Sequence, residues 1–304
     1  QNANSLFLND GTGRFTDLTE TSGVGYDWQG RRQAGMGVAA ADFDHDGDFD
    51  LLVTNFAQEH NALYENFGNG LFEDTSHQRG LAASGRPWVG WGAVFADFDA
   101  DGWQDILITN GHVDDNLREL EREGDYKQPP VILKNQNGRF KDFSETAGEY
   151  FQQTFSGRGM AIADLDNDGD VDVAMTHQDD APAILRNDAG ADLTRSTASP
   201  NTFTVGRDAS RPADSPGSNN GIRIKLIGIT VNRDAVGSVL THETASGNHQ
   251  FQTIGGGSYL SQSDHLVHIT PRTPGDRMTI RWPDGYCQDI SVLATDLDYL
   301  SVSH

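Results

Sequence analysis

A chain of 304 residues with 34 glycines and 36% hydrophobic residues has length for two domains at roughly 150 residues each, and its composition suits many short strands joined by tight turns. The formal charge of −23, carried against few basic residues, argues against partners that are themselves polyanions, nucleic acid or an anionic membrane. No apolar run approaches the roughly 18 residues of a transmembrane helix, and the single cysteine, Cys287, excludes an intrachain disulfide framework and a multi-cysteine zinc site.

The first predicted elements are two short strands, SLFLN (5–9) and GRFTD (13–17), around a Gly-rich turn. A longer unit follows. It opens on Gly35-x-Gly37, reaches Asp42 seven residues after the first glycine, and runs through the nine-residue loop DFDHDGDFD (42–50) into LLVTN, ALYEN and GNGLFEDTS. The same frame recurs from Gly90-x-Gly92, with DFDADGWQD (97–105), ILITN, VILKN and NGRFKDFSETAG, and from Gly157-x-Gly159, with DLDNDGDVD (164–172), VAMTH and AILRN. The opening pair of strands repeats the later half of this unit, because Asn9, Phe15 and Asp17 match Asn66, Phe72 and Asp74 at equal spacing. The loop partner of Asn9 is thus expected to lie before residue 1. The second unit carries an insertion, 111–129, whose NLRELERE core is expected to form a short helix within an acidic loop ending at Pro129 and Pro130.

Four-strand units of about 45 residues predict the blades of a propeller. The expected organisation is a repeat region over 1–190, made of a half blade at 1–25 and blades at 33–80, 88–150 and 155–190. A Ser/Thr/Pro-rich linker over 191–220 follows, and then a second all-β domain over 221–304, a small sandwich or barrel read from alternating runs such as IRIKLIGI and RMTIRW. Three and a half blades are fewer than the roughly 4 to 8 that close a propeller, so the open edges must be covered by the downstream domain, by another chain or by sequence outside this one.

Each loop reads D-x-D-x-D-G-x-x-D. Carboxylates at positions 1, 3, 5 and 9, with a glycine at 6 for the sharp turn, converge hard oxygen ligands of the kind Ca²⁺ prefers. The first site is predicted from Asp42, Asp44, Asp46 and Asp50, the second from Asp97, Asp99, Asp101 and Asp105, the third from Asp164, Asp166, Asp168 and Asp172; Asp48, Trp103 and Asp170 supply the backbone carbonyl at position 7. Position 12 holds Val53, Ile108 and Met175 where a helix-loop-helix calcium site requires a bidentate Glu, so these are expected as calcium loops inside β-hairpins. Two carboxylates about 5 Å apart at an effective dielectric near 20 repel by roughly 3 kcal/mol, which is why such loops call for a cation.

GMGVAA (35–40) satisfies a dinucleotide-binding pattern but leads into an aspartate loop, and its recurrence as GWGAVF and GRGMAI marks it as a closely packed strand. No G-x-S-x-G elbow and no H-E-x-x-H occurs, and Cys287 has no identifiable base, so no catalytic residues are assigned.

The loops, with their Gly-x-Gly lead-in and the L-x-N and G-x-F-x-D continuation, resemble FG-GAP/VCBS repeats, the calcium-binding propeller blades also found in integrin α-subunits. NRDAVG (232–237), GGGSYLSQSD (255–264) and RWPDG (281–285) resemble the ASPIC/UnbV domain that follows such repeats in the cartilage acidic protein family and in secreted bacterial proteins. The resemblance implies a seven-bladed, calcium-dependent extracellular propeller with a β domain, with adhesion or matrix associations and no catalytic residues to carry over. The expected function is a secreted, non-enzymatic, calcium-stabilised structural or adhesive protein, in contact with a second copy of itself or another extracellular protein. Its half blade, Leu6 to Asn9 and Phe15 to Thr19, is expected to pair with a neighbouring chain in a head-to-tail assembly or filament. Two alternatives stand beside it: a carbohydrate-binding or carbohydrate-active module using Trp103 and the insertion carboxylates Asp114, Asp115, Glu119, Glu121, Glu123 and Asp125 on a glycan, and a fragment of a longer seven-bladed propeller.

Overall fold

The structure is a computed structural model that describes residues 3–166, 169–187, 202–203, 222–244, 247–269, 276–290 and 299–304. Strands β1 (Phe7–Asn9) and β2 (Phe15–Asp17) form an isolated antiparallel hairpin. β3 (Val38–Ala41), β4 (Asp50–Val53), β5 (Ala62–Asn66) and β6 (Phe72–Asp74) make the first four-stranded sheet; β7 (Gly90–Ala96), β8 (Asp105–Asn110), β9 (Val131–Asn135) and β10 (Phe140–Asp142) make the second, each pairing in chain order. The third contains β11 (Gly157–Ala163), β12 (Asp172–His177), β13 (Ala183–Asn187) and β14 (Thr202–Phe203), and β14 pairs parallel to β13 where the other units turn back antiparallel. A strand thus lies inside the stretch expected as linker; the remainder of 188–221 falls outside the described residues.

β15 (Ile222–Ile227), β16 (Val239–Thr244), β17 (Gly247–Gln252), β18 (Leu266–Ile269), β19 (Arg277–Arg281), β20 (Cys287–Ile290) and β21 (Tyr299–Ser303) build two further sheets, ordered β18-β15-β21 and β17-β16-β19-β20. The alternation in IRIKLI places Ile222, Ile224 and Leu226 in one apolar cluster with Leu240, Ile280 and the fully buried Trp282. Further clusters lie between the first and second sheets and between the second and third. In β8 every residue is buried, and the pleat sends Ile106 and Ile108 into the cluster shared with the first sheet and Leu107 into the cluster shared with the third.

The arrangement is all-β with five blade-like sheets of three or four strands, which corrects the expected count of three and a half blades followed by an appended sandwich or barrel. The inner strands explain why. A Cβ on Gly37 would overlap the carbonyl of Trp91, and one on Gly92 would come within 2.9 Å of the carbonyl of Arg158, so the second glycine of each lead-in lets the next unit's inner strand approach. A Cβ on Gly159 would collide with the Ser261 hydroxyl, with the carbonyl of Tyr259 just beyond. The GGGSYLSQSD segment therefore occupies the place of a further inner strand. It is held by Met160 N–H donating to Ser261 Oγ (2.9 Å), Ile162 N–H to Ser263 Oγ (3.1 Å) and Asp264 N–H to the Ile162 carbonyl (3.2 Å). On its far side Ser258 N–H donates to the Val38 carbonyl at 3.0 Å, which returns the circuit to β3. Of the three ways to cover the open edges, the molecule uses its own downstream region.

The insertion forms turns rather than the expected helix: Asn116 accepts from Glu119 and Leu120, Leu117 alone of the NLRELERE core is buried, and Glu121 has a φ of 52° that ends any helical continuation. GMGVAA, GWGAVF and GRGMAI lead into β3, β7 and β11 with no helix behind them, as the repeat predicts.

Candidate metal centres in the aspartate loops

The three loops join β3 to β4, β7 to β8 and β11 to β12, and each is closed by its last aspartate. Asp50 accepts from Phe43 N–H (3.2 Å) and Asn66 N–H (2.8 Å). Asp105 accepts from Phe98 (3.3 Å) and Asn135 (2.7 Å), and Asp172 from Leu165 (2.8 Å) and Asn187 (2.9 Å). Residue 9 of the loop is thus a buried clamp tying the loop's second residue to the end of the unit's third strand. The asparagines extend the clamp. Asn135 Nδ2 donates to the carbonyl of Phe43 at 2.9 Å and Asn187 Nδ2 to that of Phe98 at 2.7 Å, each reaching the loop of the preceding sheet. The repeated L-x-N signal marked these asparagines as strand ends; their role as latches between neighbouring sheets is legible only in the structure.

Carboxylate oxygens of Asp42, Asp44 and Asp50 lie within 4.8 Å of one another, as do those of Asp97, Asp99 and Asp101, and of Asp164, Asp166 and Asp172. Among the other predicted ligands, Asp46 is exposed and its Oδ1 accepts from Asp48 N–H at 2.9 Å; Asp101 makes the same turn with Trp103 N–H at 2.9 Å. Asp105 stands buried beneath the second cluster, Asp48 is exposed, Asp170 is buried, and Asp168 lies outside the described residues.

The first and third loops hold buried oxygens that accept no hydrogen bond: both of Asp42, Oδ1 of Asp44 and Oδ1 of Asp164. A buried charge without a partner is expensive, so these donor sets fit a hard cation. Burial, reinforced by the neighbouring carboxylates, pushes Asp42 up to about 7 and Asp50 up to about 8; it also raises Asp44 and Asp172, and drives Asp105 well above the usual carboxylate range.

Basic side chains, which the loop motif does not announce, approach all three clusters. Arg79 bridges Asp44 (2.8 Å) and Glu65 (2.7 Å), and Arg223, from the C-terminal region, reaches Asp164 at 2.7 Å. Lys134 hydrogen-bonds Asp99 and lies 3.5 Å from Asp101. Burial alone would lower the Lys134 ammonium's pKa, and the two carboxylates turn the shift upward. Asp99, raised to about 6 by burial and Asp101, is restrained by the same ion pair.

Trp103 is half-buried with its ring 4.1 Å from that of His45, stacked, and His45 in turn contacts His249 of β17 at 3.1 Å. Trp91 lies beneath the Arg158 guanidinium and against Tyr259, while Asp114 of the insertion is paired with Arg122. Of the residues proposed for glycan contact, Trp103 and Asp114 are thus engaged within the chain, while Asp115, Glu119, Glu121, Glu123 and Asp125 stand exposed.

A profile described as FG-GAP-like repeat matches residues 1–53 and 42–108, and one described as ASPIC and UnbV matches 228–302. These two segments of the chain are similar to FG-GAP-like repeats and to an ASPIC and UnbV region. Cartilage acidic protein 1 of Xenopus tropicalis is 25% identical over 93% of this chain and 38% of its own length, and that of Mus musculus is 24% identical over 97% and 40%. The chain thus spans about two fifths of the length of the curated relatives it matches. Among solved structures, a lectin of Agrocybe aegerita that recognises non-reducing terminal N-acetylglucosamine aligns with a TM-score of 0.32 and 18% identity, covering 62% of this chain and 48% of that one. Among the described residues no helix is long and apolar enough to cross a membrane.

Proposed function

We propose that the chain is a non-enzymatic, extracellular structural or adhesive module whose repeat region is held by Ca²⁺ in its aspartate loops. The observation that carries this reading is the set of buried, partnerless oxygens on Asp42, Asp44 and Asp164, each inside a carboxylate cluster at the equivalent point of a repeat. Bound Ca²⁺ would supply charge neutralisation, and the residues do the rest. Asp50 and Asp172 fix the loop ends, Asn135 and Asn187 pass that order to the neighbouring sheet, and the glycines at 47 and 169, with φ of 96° and 95°, make the turn that converges the carboxylates. An extracellular setting accords with the cartilage acidic protein relatives and with stabilisation by ions instead of disulfides. We place contact with another extracellular protein or a second copy on the β1–β2 hairpin, where Phe7, Leu8 and Phe15 are more than half exposed. The inner strands are not available for it, because 258–264 already covers them.

Thermal unfolding in calcium and in chelator tests the reading. A calcium-dependent rise of the midpoint supports it, and superimposable curves at every calcium concentration overturn it.

A further inference from the structure

The three loops share one aspartate motif and differ in structure. In the first and third, buried oxygens of Asp42, Asp44 and Asp164 have no hydrogen bond of normal geometry, the N–H groups of Gly47 and His45 only nearing Asp42; in the second, no described buried oxygen of Asp97, Asp99, Asp101 or Asp105 is left in that state. The difference is the residue just before the conserved-frame asparagine that ends the third strand of each unit. In the first unit this is Glu65, which turns to Arg79. In the third it is Arg186, 45% exposed in its side chain and 3.9 Å from Asp166 at the rim. In the second it is Lys134, whose side chain is 8% exposed, hydrogen-bonded to a fully buried Asp99 and within 3.5 Å of Asp101.

We propose that Lys134 is the resident cation of the middle loop: its ammonium stands among the carboxylates where the outer two loops take a divalent ion. Two features of the side chains support this. An ammonium is a compact point charge on a flexible stem, able to enter a cluster of carboxylates, whereas the planar guanidiniums of Arg79 and Arg223 approach from outside and leave oxygens of Asp44 and Asp164 unserved. In the middle loop one ammonium faces two carboxylates, Asp99 and Asp101, whereas in each outer loop a guanidinium contacts a single loop aspartate, Asp44 or Asp164, and leaves its Oδ1 without a hydrogen bond. The middle loop is therefore folded with no metal, and the chain takes up two calcium ions rather than the three its motifs suggest.

The inference rests on the reading that the outer loops bind calcium, and the experiment separates the two. Calcium chloride is titrated into the full chain, with bound ions counted by native mass spectrometry and calorimetry, for the wild type, Lys134→Gln and Asp99→Asn. The expected counts are two, three and two, with the calcium-induced rise in melting temperature enlarged in Lys134→Gln and unchanged in Asp99→Asn. Three ions on the wild type, or two on a Lys134→Gln variant with native near-ultraviolet dichroism, overturn the proposal and leave the calcium reading intact. Should Lys134→Gln fail to fold, Asp99→Asn decides: retention of both ions supports the lysine, and loss of one overturns it. No ion on any variant removes the calcium reading, and this inference with it.

Discussion

The repeat sheets and the C-terminal sheets pack by the same apolar rule but secure their loops differently. Around β15 to β21 one apolar cluster with Trp282 at its heart shares its work with few buried charges, chiefly the His242–Asp276 pair at 2.9 Å. In the repeats the apolar clusters are interleaved with Asp42, Asp50, Asp99, Asp105 and Asp172, all buried, so that the cohesion of neighbouring sheets passes through carboxylates and the asparagines latched over them. One region leans chiefly on packing. The other, on the function proposed above, is expected to respond also to protons and cations, so that chemistry in solution loosens it selectively.

The largest effect tests the first half of this contrast. Trp282→Ala removes a fully buried ring and should cost about 3–5 kcal/mol in urea unfolding, by the same amount in calcium and in chelator. A deficit that calcium repairs would break the comparison. Next is Asn135→Ala, which deletes donors to the carbonyls of Phe43 and Gln104 and an acceptor for Gly138 N–H. We expect a loss of about 3 kcal/mol together with a weaker response of the first loop to calcium, since its Phe43 is then no longer tied to the second sheet.

Smaller, and the sharpest in sign, is the pH dependence without metal. Asp42 and Asp50 hold their protons more tightly folded than unfolded, with values of about 7 and 8 against 3.8, so the folded state binds the extra protons. The stability these two groups contribute is complete near pH 4 and is lost as pH rises through about 7 to 8. Calcium requires their ionised forms, so its stabilisation should grow over that interval, reaching about 2.7 kcal/mol per site at a hundred times the dissociation constant. Calorimetry at pH 5 and pH 8 checks this, and a calcium effect that shrinks toward pH 8 contradicts the assignment. The smallest effect is Arg122→Ala in the insertion: its ion pair with Asp114 is largely solvated, and the change should stay within about 0.5 kcal/mol by chemical denaturation.

The local chemistry of the repeats was legible in the residues. Gly-x-Gly, the aspartate loop and the L-x-N strand end appear where the motifs put them, because turns, pleats and ligand spacings are short-range properties. What escaped was long-range. Ser258, Ser261 and Ser263 look like punctuation in a Gly/Ser-rich stretch, and nothing near them announces that their backbone and hydroxyls meet strands about a hundred residues or more upstream. Lys134 is one letter of the strand signal VILKN, with nothing to mark it until Asp99 is seen against it. The acidic insertion has helical composition, yet without an apolar stripe to bury, its NLRELERE core settles into turns with Leu117 its single buried residue.

The segment that completes the circuit also sets an order of events. Ser258 meets Val38 across 220 residues of chain, so the contact that closes the ring can form only after all three repeat sheets have been made. Folding rates fall as contacting residues grow more distant in sequence. The first three sheets must therefore wait as an open arc, with the glycine-lined faces of β3 and β11 uncovered, until the chain's final third arrives to seal them. The interval before that sealing is when the molecule is most exposed to pairing with the wrong strand.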